Sequence, residues 1–182
     1  MRLGVMCSGN GSNFENIVRT FKDDEVVLMI HNKKECGAAK RAGKLGIPHC
    51  NLKSGDEEEI IKLFQAWRVD IIVLAGWMKV VSSKLIEAFP RRIINIHPSL
   101  LPKYKGLNAV QQALDARDLV TGCTVHYVTE ELDSGEIILQ EEVHIFPHDT
   151  LDSLTKVIQQ REYEILPRAI EYVKQRLPVT SY

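Results

Sequence analysis

The stretch VDIIVLAGW, residues 69–77, constrains this chain most. Past Asp70 it is apolar without alternation. A strand that is apolar toward both faces must be covered on both faces, as happens in a parallel sheet flanked by helix layers. RRIINIHP, residues 91–98, repeats the character after a short helical segment, SSKLIEAF. Upstream, strand-like and helix-like segments alternate. RLGVMCS (2–8), EVVLMIHN (25–32) and IPHCNL (47–52) read as strands. SNFENIVRTF (12–21) reads as a helix with Phe14, Ile17, Val18 and Phe21 on one face and Ser12 or Asn13 as its cap. KECGAAKRAGKLG is a helix ended by Gly46, and SGDEEEIIKLFQAW a helix capped by Ser54.

Beyond residue 120 the pattern changes. TGCTVHYVTEELDSGEIILQEEVHIF reads as two longer strands, antiparallel and joined by the turn TEELDSGE. The segment from Thr150 to Leu177 is a long helix in which Pro167 is expected to start a fresh turn or a kink. The predicted fold is therefore α/β: a doubly wound, mostly parallel Rossmann-like sheet, antiparallel strands added in the C-terminal part, and a long C-terminal helix. One domain is expected over 1–182.

Charge and cysteine usage remove several function classes. With 23 basic and 24 acidic residues the formal net charge is -1, so no basic field draws nucleic acid. Cys7, Cys36, Cys50 and Cys123 form no CxxC pair and read as reduced packing residues of a cytoplasmic protein. The N-terminus enters a strand and a glycine loop without a signal-peptide or membrane span. His144 and His148 stand four apart, but Pro147 spoils a helical ligand spacing, and no metal is assigned.

Three places carry candidate chemistry. The loop Ser8–Asn13 (SGNGSN) leads from a strand into a helix, where free N–H groups favour an anion; a tight glycine turn is the plain alternative. Phe14 occupies the third glycine position of a dinucleotide fingerprint, and no Walker GK[ST] is present. Asn95 and His97 share one face at the carboxyl end of a strand, where open α/β sheets bind ligands; a buried polar network is the alternative. Asp133 lies in ELDSGE, which by itself reads as a turn residue beside Gly135. His126 reads as a packing or surface residue, and the acidic run at 56–59 as a solvated helix start.

Taken together, SGNGSN, VDIIVLAGWMKVVS, INIHPSLLPKYKGLNAVQQAL, TGCTVHYVTEELDSGEIILQ and QQREYEILP resemble the phosphoribosylglycinamide formyltransferases over essentially the whole chain. HPSLLP and LDSG alone would indicate only the wider folate-dependent formyltransferase superfamily. The resemblance implies transfer of a formyl group from 10-formyltetrahydrofolate to the amine of glycinamide ribonucleotide in purine (IMP) biosynthesis. It implies Asn95, His97 and Asp133 as the catalytic trio, without a metal or a covalent enzyme intermediate. It carries Gly11, Ser12, Asn13, Gln159 and Glu162 to the ribonucleotide. Met78, Lys79, Val80 and Val81, with Asn95 and Asp133, go to the folate, and the 129–135 turn to the opposite wall. An N-terminal phosphate-binding half, about 1–95, and a C-terminal folate and catalytic half, about 96–182, follow. The partners implied are these small molecules, with no nucleic acid or membrane, in a monomer or homodimer. Lys79 stands where an Arg is common in the family, and His31 where a Ser is.

Two relatives handle the same formyl group. A methionyl-tRNA formyltransferase would carry a nucleic-acid-binding C-terminal domain, and a formyltetrahydrofolate deformylase an N-terminal regulatory domain. A noncatalytic nucleotide-binding module on the same scaffold is the alternative from another class.

Overall fold

A computed structural model describes residues 1–22 and 25–178. The elements run β1 (Leu3–Cys7), α1 (Ser12–Phe21), β2 (Val26–His31), α2 (Gly37–Leu45), β3 (His49–Asn51), α3 (Glu57–Ala66), β4 (Ile71–Leu74) and α4 (Ser83–Ala88). They continue with β5 (Ile93–His97), α5 (Ala109–Asp115), β6 (Val120–Tyr127), β7 (Ile137–His144) and α6 (Leu151–Lys174). The described strands form one sheet in the order β3-β2-β1-β4-β5-β6-β7. The first five strands pair in parallel and the last two are antiparallel additions, as the change of pattern after residue 120 predicted.

Every residue of β1, β2 and β4 is buried, which is why their sequences lack alternation. Successive side chains still feed opposite layers. On one face Val5, Ile71 and Val73 pack with Phe14 and Ile17 of α1, Ala38 and Ala42 of α2, and Ile158, Leu166 and Ile170 of α6. On the other, Met6, Ile72 and Leu74 pack with Ile60 and Phe64 of α3 and Leu85 of α4. Strand order reverses between β1 and β4, so the crevice beyond their carboxyl ends is a topological switch point.

Several local expectations change. Helix α1 is preceded by Gly11 at φ 78°, and no side chain caps it; Ser12 and Asn13 already lie inside the helix. A Cβ on Gly11 would stand 2.6 Å from Ala38 Cα, so glycine is required both by conformation and by the approach of α2. Helix α3 is capped by Asp56, whose carboxylate accepts from Glu58 N at 3.0 Å, instead of by Ser54. The acidic run there is more than a solvated start: both carboxylate oxygens of Glu57 accept from Ser82 N, the residue before α4. Helix α5 lies in a stretch for which no helix was expected.

Pro167 neither ends nor restarts α6, which is assigned unbroken through it. Proline lacks the N–H that would bond the carbonyl four residues back, at Tyr163. That carbonyl accepts instead from Asn16 Nδ2 of α1 at 3.0 Å. The tertiary contact supplies what the proline removes. Asn16→Ala should therefore cost about 1–3 kcal/mol by stranding a partly buried carbonyl. The same substitution should cost less on a Pro167→Ala background, as a double-mutant cycle by thermal unfolding can measure.

Candidate active site

Beyond the carboxyl ends of β4 and β5 lies a cavity of about 480 Å³. Its walls are the 76–81 segment on one side and the 129–133 segment on the other, with Asn95, His97 and His126 at its base and Gly106–Ala109 completing the rim. Met78, Val80, Leu107 and Leu132, all largely exposed, bring apolar side chains to its mouth. Val81 is buried against the second core layer.

Asn95 and His97 both reach this cavity, as their shared strand face predicted. Two backbone segments then fix the rest. After β5 the chain is tied down by Thr124 of β6: its hydroxyl donates to Ser99 O at 2.7 Å and accepts from Leu101 N at 3.2 Å and from Gln140 Nε2 at 2.9 Å. Thus held, this segment brings Tyr104 O to 2.8 Å from His97 Nε2, so that ring nitrogen carries the proton it donates. It also brings Gly106 N to 2.8 Å from Asp133 Oδ2.

Asp133 is held at φ 49°, in the left-handed region that a non-glycine residue occupies only under constraint. The constraint comes partly from Gly135, where an added Cβ would stand 1.7 Å from Tyr127 O. The loop can lie this close to β6 because that side chain is absent. From there the buried carboxylate faces His97 Nδ1 at 3.4 Å, His126 Nε2 at 3.5 Å and Asn95 Nδ2 at 3.5 Å. Burial alone would raise its pKa, but hydrogen bonds from His126 and Gly106 N–H and the charge of His97 hold it below the usual value.

His126 is the residue that sequence reasoning left out. It is 2% exposed, with Asn95 Nδ2 3.2 Å and Asp133 Oδ1 3.5 Å from its Nε2. The signal was available: in an antiparallel pair, residues directly opposite share a face, and His126 lies opposite Asn95. Registering the two strands was the missing step.

At the start of α1, Asn13 Nδ2 donates to Glu162 Oε2 at 2.8 Å, which joins the first helix to the last. Gln159 lies one turn earlier on α6 and is half-buried. Asn13 Oδ1 is buried and has no hydrogen-bond partner among the described residues. The two ends communicate through Ser8, whose N–H donates to Gly76 O at 2.9 Å and whose hydroxyl accepts from Met78 N at 2.9 Å. Both regions thus draw on both halves of the chain. Lys79 turns away from the cavity base, its ammonium donating to Ser54 O. His31, buried, places its two ring nitrogens 2.9 Å from Lys33 O and 3.0 Å from His49 Nδ1, a structural role that accounts for an imidazole there. Among the described residues no group of three or more potential ligands could hold a metal ion, and no helix is long and apolar enough to cross a membrane. The four cysteines are free; burial pushes the Cys123 thiol up to about 12, which leaves it inert as a nucleophile at neutral pH.

Glu162 is 8% exposed, and burial pushes its carboxyl up to about 7 against the single opposing bond from Asn13. A raised carboxyl pKa means the folded state holds a proton that the unfolded chain releases. Between about pH 4.5 and 7 this group therefore subtracts stability as pH rises. Glu162→Gln should flatten that part of the stability curve and raise Tm above pH 7, as melting curves across the range would show.

Comparisons with known proteins identify the family. Residues 1–170 match the family model described as Formyl transferase. Phosphoribosylglycinamide formyltransferase of Haemophilus influenzae is 38% identical over 94% of this chain and 86% of its own length. The trifunctional purine biosynthetic protein adenosine-3 of Drosophila melanogaster is 41% identical over 93% of this chain, which spans only 14% of that protein. The crystal structure of phosphoribosylglycinamide formyltransferase from Bacillus halodurans superposes with a TM-score of 0.89 at 38% identity, covering 100% of this chain and 97% of that one. The corresponding structure from Anaplasma phagocytophilum gives 0.92 at 38%, covering 97% and 88%. The chain belongs to the formyl transferase family of enzymes, in its phosphoribosylglycinamide formyltransferase branch.

Proposed function

We propose that this chain transfers the formyl group of 10-formyltetrahydrofolate to the amine of glycinamide ribonucleotide, a step of purine biosynthesis, by direct attack and without a covalent enzyme intermediate. The observation that carries the reading is the convergence of Asn95, His97 and Asp133 at the base of one cavity. The proposal extends to a single domain over 1–182, acting on small molecules, and to a metal-free reaction.

The residues present fit a folate donor. A cavity of about 480 Å³ with apolar side chains at its mouth suits a flat heteroaromatic ring, and the polar groups are confined to its base. The Met78–Val81 backbone, set by Ser8, supplies the edge along which such a ring would bond. When bound, the donor supplies a formyl carbon activated toward an amine. The rest falls to the protein.

Negative charge develops on the formyl oxygen during attack, and a preorganised donor there lowers the barrier. An Asn95 amide N–H is one such donor. His97 is anchored by Nε2–H to Tyr104 O, so Nδ1 is the atom free to act. Protonated, Nδ1 lies between Asp133 and the cavity and can share its hydrogen with the substrate oxygen. Asp133, kept ionised at neutral pH, orients that ring and can hold the proton, or a water carrying it, that leaves the attacking amine and passes to the departing folate nitrogen. At the other end, the uncapped start of α1 with Gly11, Ser12 and Asn13 is suited to the phosphate, and Glu162 with Gln159 to the ribose.

Removing one oxyanion donor typically costs about a hundredfold to a thousandfold in turnover. His97→Ala and Asp133→Asn should each lose at least about a hundredfold in kcat while keeping the native circular dichroism and melting transition. Formyl transfer measured with both substrates present decides this. Near-normal turnover in either variant would remove that residue from the mechanism.

A further inference from the structure

His126 Nδ1 lies 2.8 Å from Tyr127 O. A carbonyl can only accept, so Nδ1 carries a hydrogen whatever the charge of the ring. Everything variable about His126 is therefore concentrated on Nε2, which faces Asn95 and Asp133. Asn95, in turn, can present either its N–H or its carbonyl to the cavity, because its two ends are interchangeable by rotation about the last bond.

With Nε2 bare, Asn95 Nδ2 donates to it at 3.2 Å and turns its other hydrogen toward Asp133 Oδ1 at 3.5 Å. Both N–H bonds then point inward, and the Asn95 carbonyl faces the cavity. That arrangement offers a formyl oxygen no donor from Asn95. With Nε2 protonated, its hydrogen points toward the Asp133 carboxylate and would collide with an Asn95 N–H. The amide turns, its carbonyl accepts from His126, and an N–H faces the cavity. In this second arrangement the Asn95 carbonyl approaches Asp133, with the shared His126 hydrogen between them.

We infer that His126 is a positioning residue whose protonation turns Asn95 from acceptor to donor toward the substrate. The inference rests on the proposed role of Asn95 as an oxyanion donor. It also gives a reason for burying an imidazole beside a carboxylate that already has Gly106 N–H and His97 as partners. The charged group facing His126 is Asp133; His97, Glu130, Glu131 and Lys79 line the same cavity, and β7 contributes Ile137 at the paired position. Asp133 is the nearest of these, its carboxylate oxygen 3.5 Å from Nε2.

A double-mutant cycle on kcat separates this from a packing role. Asn95→Ala alone should lower kcat about a hundredfold; near-normal turnover would overturn the reading of Asn95 itself, and the inference with it. Given that loss, His126→Leu should reproduce most of it with both KM values little changed, and the double variant should be no slower than Asn95→Ala. Multiplicative losses, or a near-normal His126→Leu, would overturn the inference and leave the role of Asn95 standing. His126→Gln, which keeps an amide N–H near the Nε2 position, guards against a leucine variant that does not fold. It should retain kcat within about tenfold, restoring most of what leucine loses. A His126→Gln variant as slow as His126→Leu would count against the inference as firmly.

Discussion

The Asp133 carboxylate joins the parts of the molecule that matter for chemistry. It accepts from Gly106 in the segment after β5, faces both histidines and Asn95, and comes from the loop that links the two antiparallel strands. Three stretches of chain, β5, the segment after it and β6, are registered on one anion. Burial makes the demand strict, because an ionised carboxylate shielded from water must be surrounded by donors. The surroundings supply an N–H, two imidazoles and an amide, and the strained backbone at Asp133 is sustained by them.

The same economy governs how the cavity is built. One hydroxyl, Thr124, fixes the segment that carries both the Tyr104 carbonyl and the Gly106 N–H. Ser8 does the equivalent for the opposite wall, tying the end of β1 to the segment after β4. Both anchors sit at the carboxyl edge of the sheet. The cavity thus inherits its precision from strands, while the residues that line it lie on strand ends and loops.

Much of this was legible in the sequence, and for definite reasons. Unbroken apolar runs identified the central strands, and Asn95 and His97 stood out because polar side chains interrupted one of them. Asp133 did not stand out: ELDSG is a plausible turn anywhere, and only the resemblance to a family singled it out. His126 was missed because its partner lies 31 positions away, and periodicity carries no register between strands. The caps were misassigned for a similar reason. Ser12, Asn13 and Ser54 are all competent caps, but α2 crowding against Gly11 and the placement of Asp56 decided the outcome in three dimensions. Pro167 was read as a break because its lost bond is local; the compensating bond from Asn16 is not.

The central claim is that this cavity moves a formyl group onto an amine rather than onto water. The most direct test is release of tetrahydrofolate from 10-formyltetrahydrofolate by the purified protein, with glycinamide ribonucleotide present and then withheld. The account predicts release only when the ribonucleotide is present, in equal amount to the formylated product. Release at the same rate without it would identify hydrolysis and contradict the account.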